Sequence, residues 1–510
     1  MESQSLWQNL HRLPEGDALT ANLNAEVCIV GAGIAGLTTA YELVRDGRKV
    51  VLLDEGKAGS GQTHRSSAHL ANAIDDRYFE IERLHGEAGA RLAADSHTAA
   101  INFIETTVQD LEIDCHFRRV PGYLFLGPGQ AASLLDRELA ACHRAGLTEV
   151  RKLESTPIPS LSARSCLLFP NQAQFDPIQY LISLNRAFQK LGGKFFSGVR
   201  VHEVIDGAEP MVKTTDGLEI NADKVVVATN SPINDRYFMH TKQAAYRTYV
   251  IAFKTARNAV PIALYWDTLD PYHYVRVHQE AGEEFLIVGG EDHKTGQSTD
   301  EMQAYENLEN WAREIFPAAG KIAYRWSGQV EETIDGLAFI GKNPLDKNVF
   351  IVTGDSGMGL THGTIAGQIL SDLVQNRDNS WAKLYDPARK NLRALGKFIT
   401  ENVNVALQYR SLITPGEVES IDEIELGSGA IMRRGLKKVA IYRNENGGAT
   451  EVSAICPHLG AVLSWNSAEK TWDCPCHGSR FSTEGKVLEG PAVSDLPLLC
   501  KHPATRKKAG

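Results

Sequence analysis

Unbroken apolar runs alternate with helical patterns through the first part of the chain. Val27 to Val30 is a short apolar run, as expected of a strand buried on both faces, and Lys49 to Asp54 repeats it. Between them Ile34, Leu37, Ala40, Tyr41 and Val44 recur at helical spacing until Asp46-Gly47 ends the pattern. Strand, helix, strand predicts a parallel α/β unit. A second helical face follows Phe175-Asp176-Pro177, carrying Tyr180, Leu181, Leu184 and Phe188. The runs Gly198 to Val204 and Asp216 to Ile220 read as a strand and a turn leading into another strand. Two later apolar strands, 223–229 and 348–353, end in turns, and the second leads into a helix starting near Gly359 with Ile365, Ile369 and Leu373 inside. In 111–165 and 240–325 the runs alternate instead, as in Tyr246 to Phe253 and Tyr272 to Val277. Near the end, short strands at Ala430, Lys438 and Thr450, separated by glycine turns, predict a small all-β unit.

At 510 residues the chain is too long for one core, so two or three domains are expected. Hydrophobic content of 43% and charged content of 23% are those of an ordinary globular protein. A net charge of −10 without a basic stripe argues against nucleic acid as a partner. Arg506-Lys507-Lys508 reads as a short disordered tail rather than a binding patch. No apolar stretch is long enough for an integral membrane segment, and the N-terminus lacks the basic and apolar regions of a secretory signal. Eight cysteines are too sparse for a disulfide scaffold, so a reducing cytoplasm is expected.

The turn Gly31-Ala-Gly33-Ile-Ala-Gly36 opens the first helix. Its glycines permit a tight turn, close approach to a pyrophosphate and close helix–strand packing, and the helix N-terminus offers free amides to phosphate. Asp54, at the end of the next strand, is placed to accept hydrogen bonds from a ribose, with Glu55 in reserve. A glycine triplet alone can serve packing only; strand, helix and acid together indicate dinucleotide binding. The following stretch, Gly59-Ser-Gly61-Gln62-Thr63-His64-Arg65, resembles the flavin loop of the D-amino-acid oxidase and glycine oxidase superfamily. Ala228-Thr229-Asn230 resembles that family's closing strand, and Asp335-Gly336 to Gly341, then Gly354-Asp-Ser-Gly357-Met-Gly359-Leu360-Thr361-His362, resemble its Asp-Gly and Gly-His-Gly segments. The resemblance implies FAD, a Rossmann-like α/β fold of glycine-oxidase type and an interleaved antiparallel substrate sheet. It also implies cofactor contacts from the residues just named and from Val201, with His64 at a place where some relatives attach flavin covalently. The helix at Gly359 would turn its amides toward the flavin edge that gains negative charge on reduction.

Where amino-acid oxidases of that superfamily carry a carboxylate-clamping Arg, alignment on Trp326-Ser-Gly328 gives Val330, followed by Glu331 and Glu332. The departure points to a cationic amine held by Glu332, or to a carboxylate held by Arg247, Arg276 or Arg325. Tyr272, His273 and Tyr274 are further pocket candidates. For each of these a surface or packing role is the competing reading.

Near the C-terminus stand Cys456-Pro-His458-Leu-Gly and Cys474-Pro-Cys476-His477-Gly-Ser479. Two Cys and two His suit tetrahedral zinc. The paired order, with Pro and Gly around each pair, also suits two opposed loops closing on a [2Fe–2S] cluster, thiolates on one iron and imidazoles on the other. The string Cys-Pro-Cys-His-Gly-Ser resembles Rieske domains, which implies Cys456, His458, Cys474 and His477 as ligands. Respiratory members have a cysteine at the place of Ala461, so no clamp disulfide to Cys476 is expected. Phe481 stands where high-potential members have Tyr, and loss of that hydrogen bond implies a middling potential.

The expected organisation is an FAD-dependent oxidoreductase domain at 1–385, with FAD-binding segments near 24–110, 166–235 and 326–385 and substrate-binding segments near 111–165 and 240–325. A helical linker at 386–415 and an all-β Rieske domain at 416–510 follow. The expected activity is oxidation of an amine or amino-acid C–N bond, with electrons passing from flavin through the cluster to an external one-electron acceptor, a protein or a quinone. An electron-transfer module serving a partner enzyme is the alternative. A Rieske oxygenase would need a mononuclear iron site of two His and an acid, and no such cluster is visible in the sequence.

Overall fold

The computed structural model describes residues 3–234, 239–298 and 300–503; the basic triplet at 506–508 lies outside them. Strand Leu23–Val30 is the centre of an eight-stranded sheet, flanked in parallel by Val50–Asp54 and Glu219–Val227, and beyond these by Lys194–Ser197 and Val349–Thr353. Phe339–Lys342 closes one edge antiparallel. Helix Ile34–Arg45 covers one face and packs on helix Gly359–Val374, so closely that a Cβ at Gly367 would lie 2.3 Å from Thr38 Cγ2. Gly31 has φ +105°, and a Cβ there would sit 2.4 Å from Ala228 O; at Gly36 it would sit 1.9 Å from Gly31 O. The glycine turn is therefore wedged between strand and helix with no room for a side chain.

The second sheet has nine strands, in the order 322–333, 243–255, 283–294, 274–280, 264–267, 118–125, 166–174 and 69–70, with 151–153 on its edge. Strands Cys166–Gln174 and Ile322–Thr333 belong to this sheet, although the sequence pattern assigned 166–174 and 326–333 to the flavin-binding segments. The alternation expected of a one-sided strand is lost because Cys166 to Phe169 are buried on both faces. The residues expected as a linker carry helix Leu395–Gln408, which is anchored on both sides. Glu401 pairs with Lys294 at 2.5 Å, Asn402 donates to Thr241 O, and the Tyr409 hydroxyl donates to Leu459 O at 2.9 Å. The C-terminal part is two four-stranded antiparallel sheets, one of them carrying the strands Ser464–Asn466 to Val487–Glu489 beside the cysteine–histidine loops. Among the described residues no helix is long and apolar enough to cross a membrane.

Since the atom that a Cβ at Gly36 meets is backbone, Gly36→Ala cannot be relieved by a rotamer change. It should lower stability by about 2 kcal/mol, read by thermal melting of the purified protein.

A candidate redox site shared by two domains

A single cavity of about 570 Å³ runs from the glycine turn to the second sheet and is lined by Gly31, Gly33, Asp54, Glu55, Gly61, Gln62 and Thr63 at one end. Val201, Thr229, Gly357, Gly359, Leu360 and Thr361 also line it. The Thr63 hydroxyl accepts from Ile34 N at 3.1 Å and so caps a helix whose own N-cap, Gly33, has no side chain to do it. Asp54 takes the amides of Ala32 and Gly56 at 2.6 and 2.7 Å, and burial pushes its carboxyl up to about 6. It organises the turn; each oxygen retains a second lone pair for a ribose hydroxyl. Glu55 is ion-paired to Arg200 at 3.0 Å. Gly36 and Gly354 are packing glycines outside the lining; a Cβ at Gly354 would strike Thr333 Cγ2 at 2.3 Å.

Several expected contacts lie elsewhere. His64 is not part of the cavity lining: its Nδ1 bonds Gly59 O at 3.0 Å, burial lowers it to about 4, and its Nε2 is buried without a hydrogen-bond partner. Arg276 is buried away from the cavity, donating to Ala68 O and Phe175 O. Arg325 lies over the Tyr305 ring. His273, just before strand Tyr274–Glu280, lies outside the cavity lining that holds Tyr272 and Tyr274, pairing with Asp267 and stacking on Trp311 at 4.1 Å. None of Arg247, Arg276 and Arg325 lines the cavity.

The opposite end of the cavity is aromatic and acidic. Tyr272, Tyr274, His69 and Trp266 form a chain of ring contacts between 5.6 and 6.0 Å, and all four line the cavity. Beside them stand Asp75, Asp292, Glu332 and Asp355. The Tyr272 hydroxyl donates to Asp75 at 2.6 Å. Burial pushes Asp75 and Asp292 up to about 7 and Asp355 up to about 6, and raises Glu332 well above the usual carboxylate range, with Asp76 adding to it. Of these acids sequence reasoning found only Glu332. Asp75 and Asp292 come from a turn and a strand more than two hundred residues apart, with no local pattern to mark them.

Arg247 is the hub of a buried ionic cluster that joins the domains. It meets Glu489 at 3.2 Å and Ser327 Oγ at 2.9 Å, and Ser327 donates to Glu469 at 2.6 Å. Arg480 spans Asp473 and Glu489, each at 3.0 Å, while Arg65 lies 3.9 Å from Glu469. Three guanidinium groups thus balance three carboxylates. Burial alone would raise Glu489 and Glu469, but the surrounding arginines hold both below the usual range. Next to this cluster Val487, Leu488, Gly490, Ala492 and Val493 of the C-terminal part line the same cavity.

The cysteine–histidine loops lie just behind that wall. Backbone bonds Gly460 N to Cys456 O and Gly478 N to Cys474 O close the two loops. Cys456 and Cys474 are buried neighbours, and the His458 and His477 rings lie 5.1 Å apart. His477 Nδ1 is buried with no hydrogen-bond partner, as suits a ligand nitrogen. Among the described residues no three His, Cys, Asp or Glu side chains are grouped to hold a single ion. Two thiols on one side and two imidazoles on the other fit a two-iron cluster better than one zinc. All eight cysteines are free, Cys476 included, and Ala461 stands where a disulfide partner for it would have to be. The Ser479 hydroxyl accepts from Ala492 N at 3.0 Å. Sequence reasoning missed His240, whose ring lies 4.8 Å from His458 and 5.3 Å from His477 and covers the imidazole pair from the first domain. It also missed Gln329, which lines the cavity and would touch a Cβ at Gly478 at 2.7 Å.

The family model described as FAD dependent oxidoreductase matches residues 26–373, and that of the Rieske [2Fe-2S] domain matches 415–500. The chain is 32% identical, over 97% of both sequences, to the Rieske 2Fe-2S iron-sulfur protein YhfW of Bacillus subtilis. It is 24% identical to a gamma-glutamylputrescine oxidoreductase of Escherichia coli, over 70% of this chain and 85% of that one. Glycine oxidase from Geobacillus kaustophilus shares its fold with a TM-score of 0.62 at 18% identity, covering 72% of this chain and all of that one.

Removing one partner of the ionic cluster leaves a buried charge unpaired. Arg247→Met should therefore cost about 3 kcal/mol, measured by denaturant unfolding. The double variant with Glu489→Gln should recover part of that loss. The cavity, the loops behind it and both family matches agree: the chain belongs to the FAD dependent oxidoreductase family, binds FAD, and carries at its C-terminal end a Rieske domain that binds a [2Fe–2S] cluster.

Proposed function

We propose that the protein oxidises a cationic amine at the carbon bearing nitrogen and passes the electrons, through its Rieske domain, to an external one-electron acceptor. The observation that carries this reading is the acidic and aromatic end of the cavity. Asp75, Asp292, Glu332 and Asp355 can hold an ammonium group, and the faces of Tyr272, Tyr274 and Trp266 add attraction for a cation. The arginine that would hold an α-carboxylate is replaced by Val330. The relative named for gamma-glutamylputrescine supports an amine over a simple α-amino acid.

FAD supplies a two-electron hydride acceptor and the cluster a one-electron carrier. The chain's part is orientation and proton handling. Asp75, fixed by Tyr272, lies where it can hold one nitrogen of the substrate. A carboxyl poised near neutrality is also suited to receive the proton that the reacting amine must lose. The residues proposed to hold FAD are Gly31, Gly33, Asp54, Gly61, Gln62, Thr63, Val201, Thr229, Gly357, Gly359, Leu360 and Thr361, all on the cavity wall. The proposed cluster ligands are Cys456, His458, Cys474 and His477. The cavity wall reaches the loops by two short links, Gln329 to Gly478 and Ala492 to Ser479. Eight free cysteines suit a cytoplasmic protein.

Anaerobic titration with primary, secondary and cyclic amines should bleach the flavin and then develop the Rieske EPR signal; no bleaching by any amine would favour the electron-transfer module instead. Asp75→Asn and Glu332→Gln should each raise KM for a cationic amine at least tenfold, with a smaller effect for a neutral one. Because Asp75 and Asp292 are raised to about 7, their charged forms accumulate as pH rises through neutrality. A quaternary ammonium inhibitor, whose own charge does not titrate, should bind more tightly as pH increases from 6 to 8. His477→Ala should abolish the Rieske signal and turnover with a one-electron acceptor while leaving amine-driven bleaching in place.

A further inference from the structure

Fourteen large apolar side chains are exposed among the described residues, and seven of them fall between Leu392 and Ile413. Leu395, Ile399, Val403 and Leu407 recur every fourth residue along helix Leu395–Gln408, so they share one face, and each is about half exposed. The opposite face is the one that touches the cluster domain: Val405 and Tyr409 pack on its core, and the Cys476 thiol lies 3.8 Å from Val405 O. Glu401, the one acid between Pro387 and Ile413, is turned inward to Lys294. The outer face therefore carries no carboxylate, while Lys390, Arg393 and Arg410 are exposed at its ends.

A second element continues this surface. The Arg433 guanidinium donates to Ile413 O and Thr414 O at 2.9 and 2.7 Å, holding the hairpin Arg433 to Lys438 against the end of the arm. At its tip Leu436 is 94% exposed, next to the exposed Lys437. An apolar stripe and an apolar tip, with Lys390, Arg393, Arg410 and Lys437 exposed beside them on a chain of net charge −10, are complementary to one kind of surface, an apolar layer beneath anionic groups. A symmetric pair of chains fits less well. Two antiparallel copies of the helix would set the Arg393 end of one against the Arg410 end of the other, cation on cation.

We propose that helix Leu395–Gln408 and the Leu436 hairpin dock the protein on the surface of an anionic lipid bilayer. The cluster loops would then stand about one helix diameter, roughly 10 Å, from the lipid. A lipid-soluble quinone would meet the cluster there and take the substrate's two electrons one at a time, together with two protons, to become the quinol while the amine becomes the iminium. That last step rests on the relay proposed above; the docking does not.

The holoprotein should float with phosphatidylcholine vesicles containing a quarter phosphatidylglycerol, and should be released by 0.5 M salt. Ile399→Asp combined with Val403→Asp, and separately Leu436→Asp, should reduce the floated fraction at least tenfold. Unchanged flavin absorbance, Rieske EPR signal and amine bleaching show that these variants are folded. Equal flotation of variant and parent, no flotation with anionic vesicles, or a dimer that the substitutions convert to monomer would each overturn the docking. Failure of the relay would show differently, as bleaching without cluster reduction while flotation persists.

Discussion

The buried cluster of Arg65, Arg247 and Arg480 with Glu469, Glu489 and Asp473 is the constraint on which the two-domain arrangement depends. Its members come from the cofactor loop, the second sheet and the C-terminal sheet carrying Val487–Glu489, so no one domain can satisfy them alone. Breaking the interface would expose some of these charges to water and leave others desolvated without partners. Buried ion pairs of this kind are poor evidence of high stability, because desolvation offsets most of the attraction. What they do specify is register. The placement that pairs all six charges also puts residues 487–493 into the cavity wall.

A fixed register explains the contacts that cross from cavity to cluster. Gly478 can lie against Ala245 and Gln329 only because it lacks a Cβ, and Ser479 reaches Ala492 only while the 490–493 segment is held in place. His240 closes over the imidazole pair from the first domain. The helix that the sequence suggested as a linker completes the enclosure from outside, through Val405 and Tyr409.

The parts of this structure legible in the sequence are those encoded locally. The glycine turn, its flanking strands, the helix at Gly359 and the cysteine–histidine loops each need particular residue types within a few positions, and spacing alone exposes them. Arg247 shows the limit. An arginine in an alternating strand reads the same whether it faces a substrate or another domain, and its partner Glu489 lies 242 residues away. His64 shows another limit: its neighbours Gln62, Thr63 and Arg65 line the cavity, while in the short helical turn Thr63–Arg65 His64 itself lies outside that lining. The acidic end of the cavity is assembled from a turn after the first segment, from strands of the second sheet and, at Asp355, from the turn after strand Val349–Thr353, so no window of sequence contains it.

The enclosure also limits how the proposed relay can be controlled. In an arrangement with a flexible tether, domain motion would set when the cluster meets its donor. Here helix Leu395–Gln408 is tied by Glu401 and Asn402 to the first domain and by Tyr409 to a cluster loop, and the ionic cluster fixes the opposite side. The distance between the two redox groups is then a property of the fold. Control must fall to the groups themselves: to the charge state of the carboxyls proposed to receive substrate, and to the potential of the cluster. Substrate charge and cluster potential, rather than the swing of a domain, become the variables on which the rate depends.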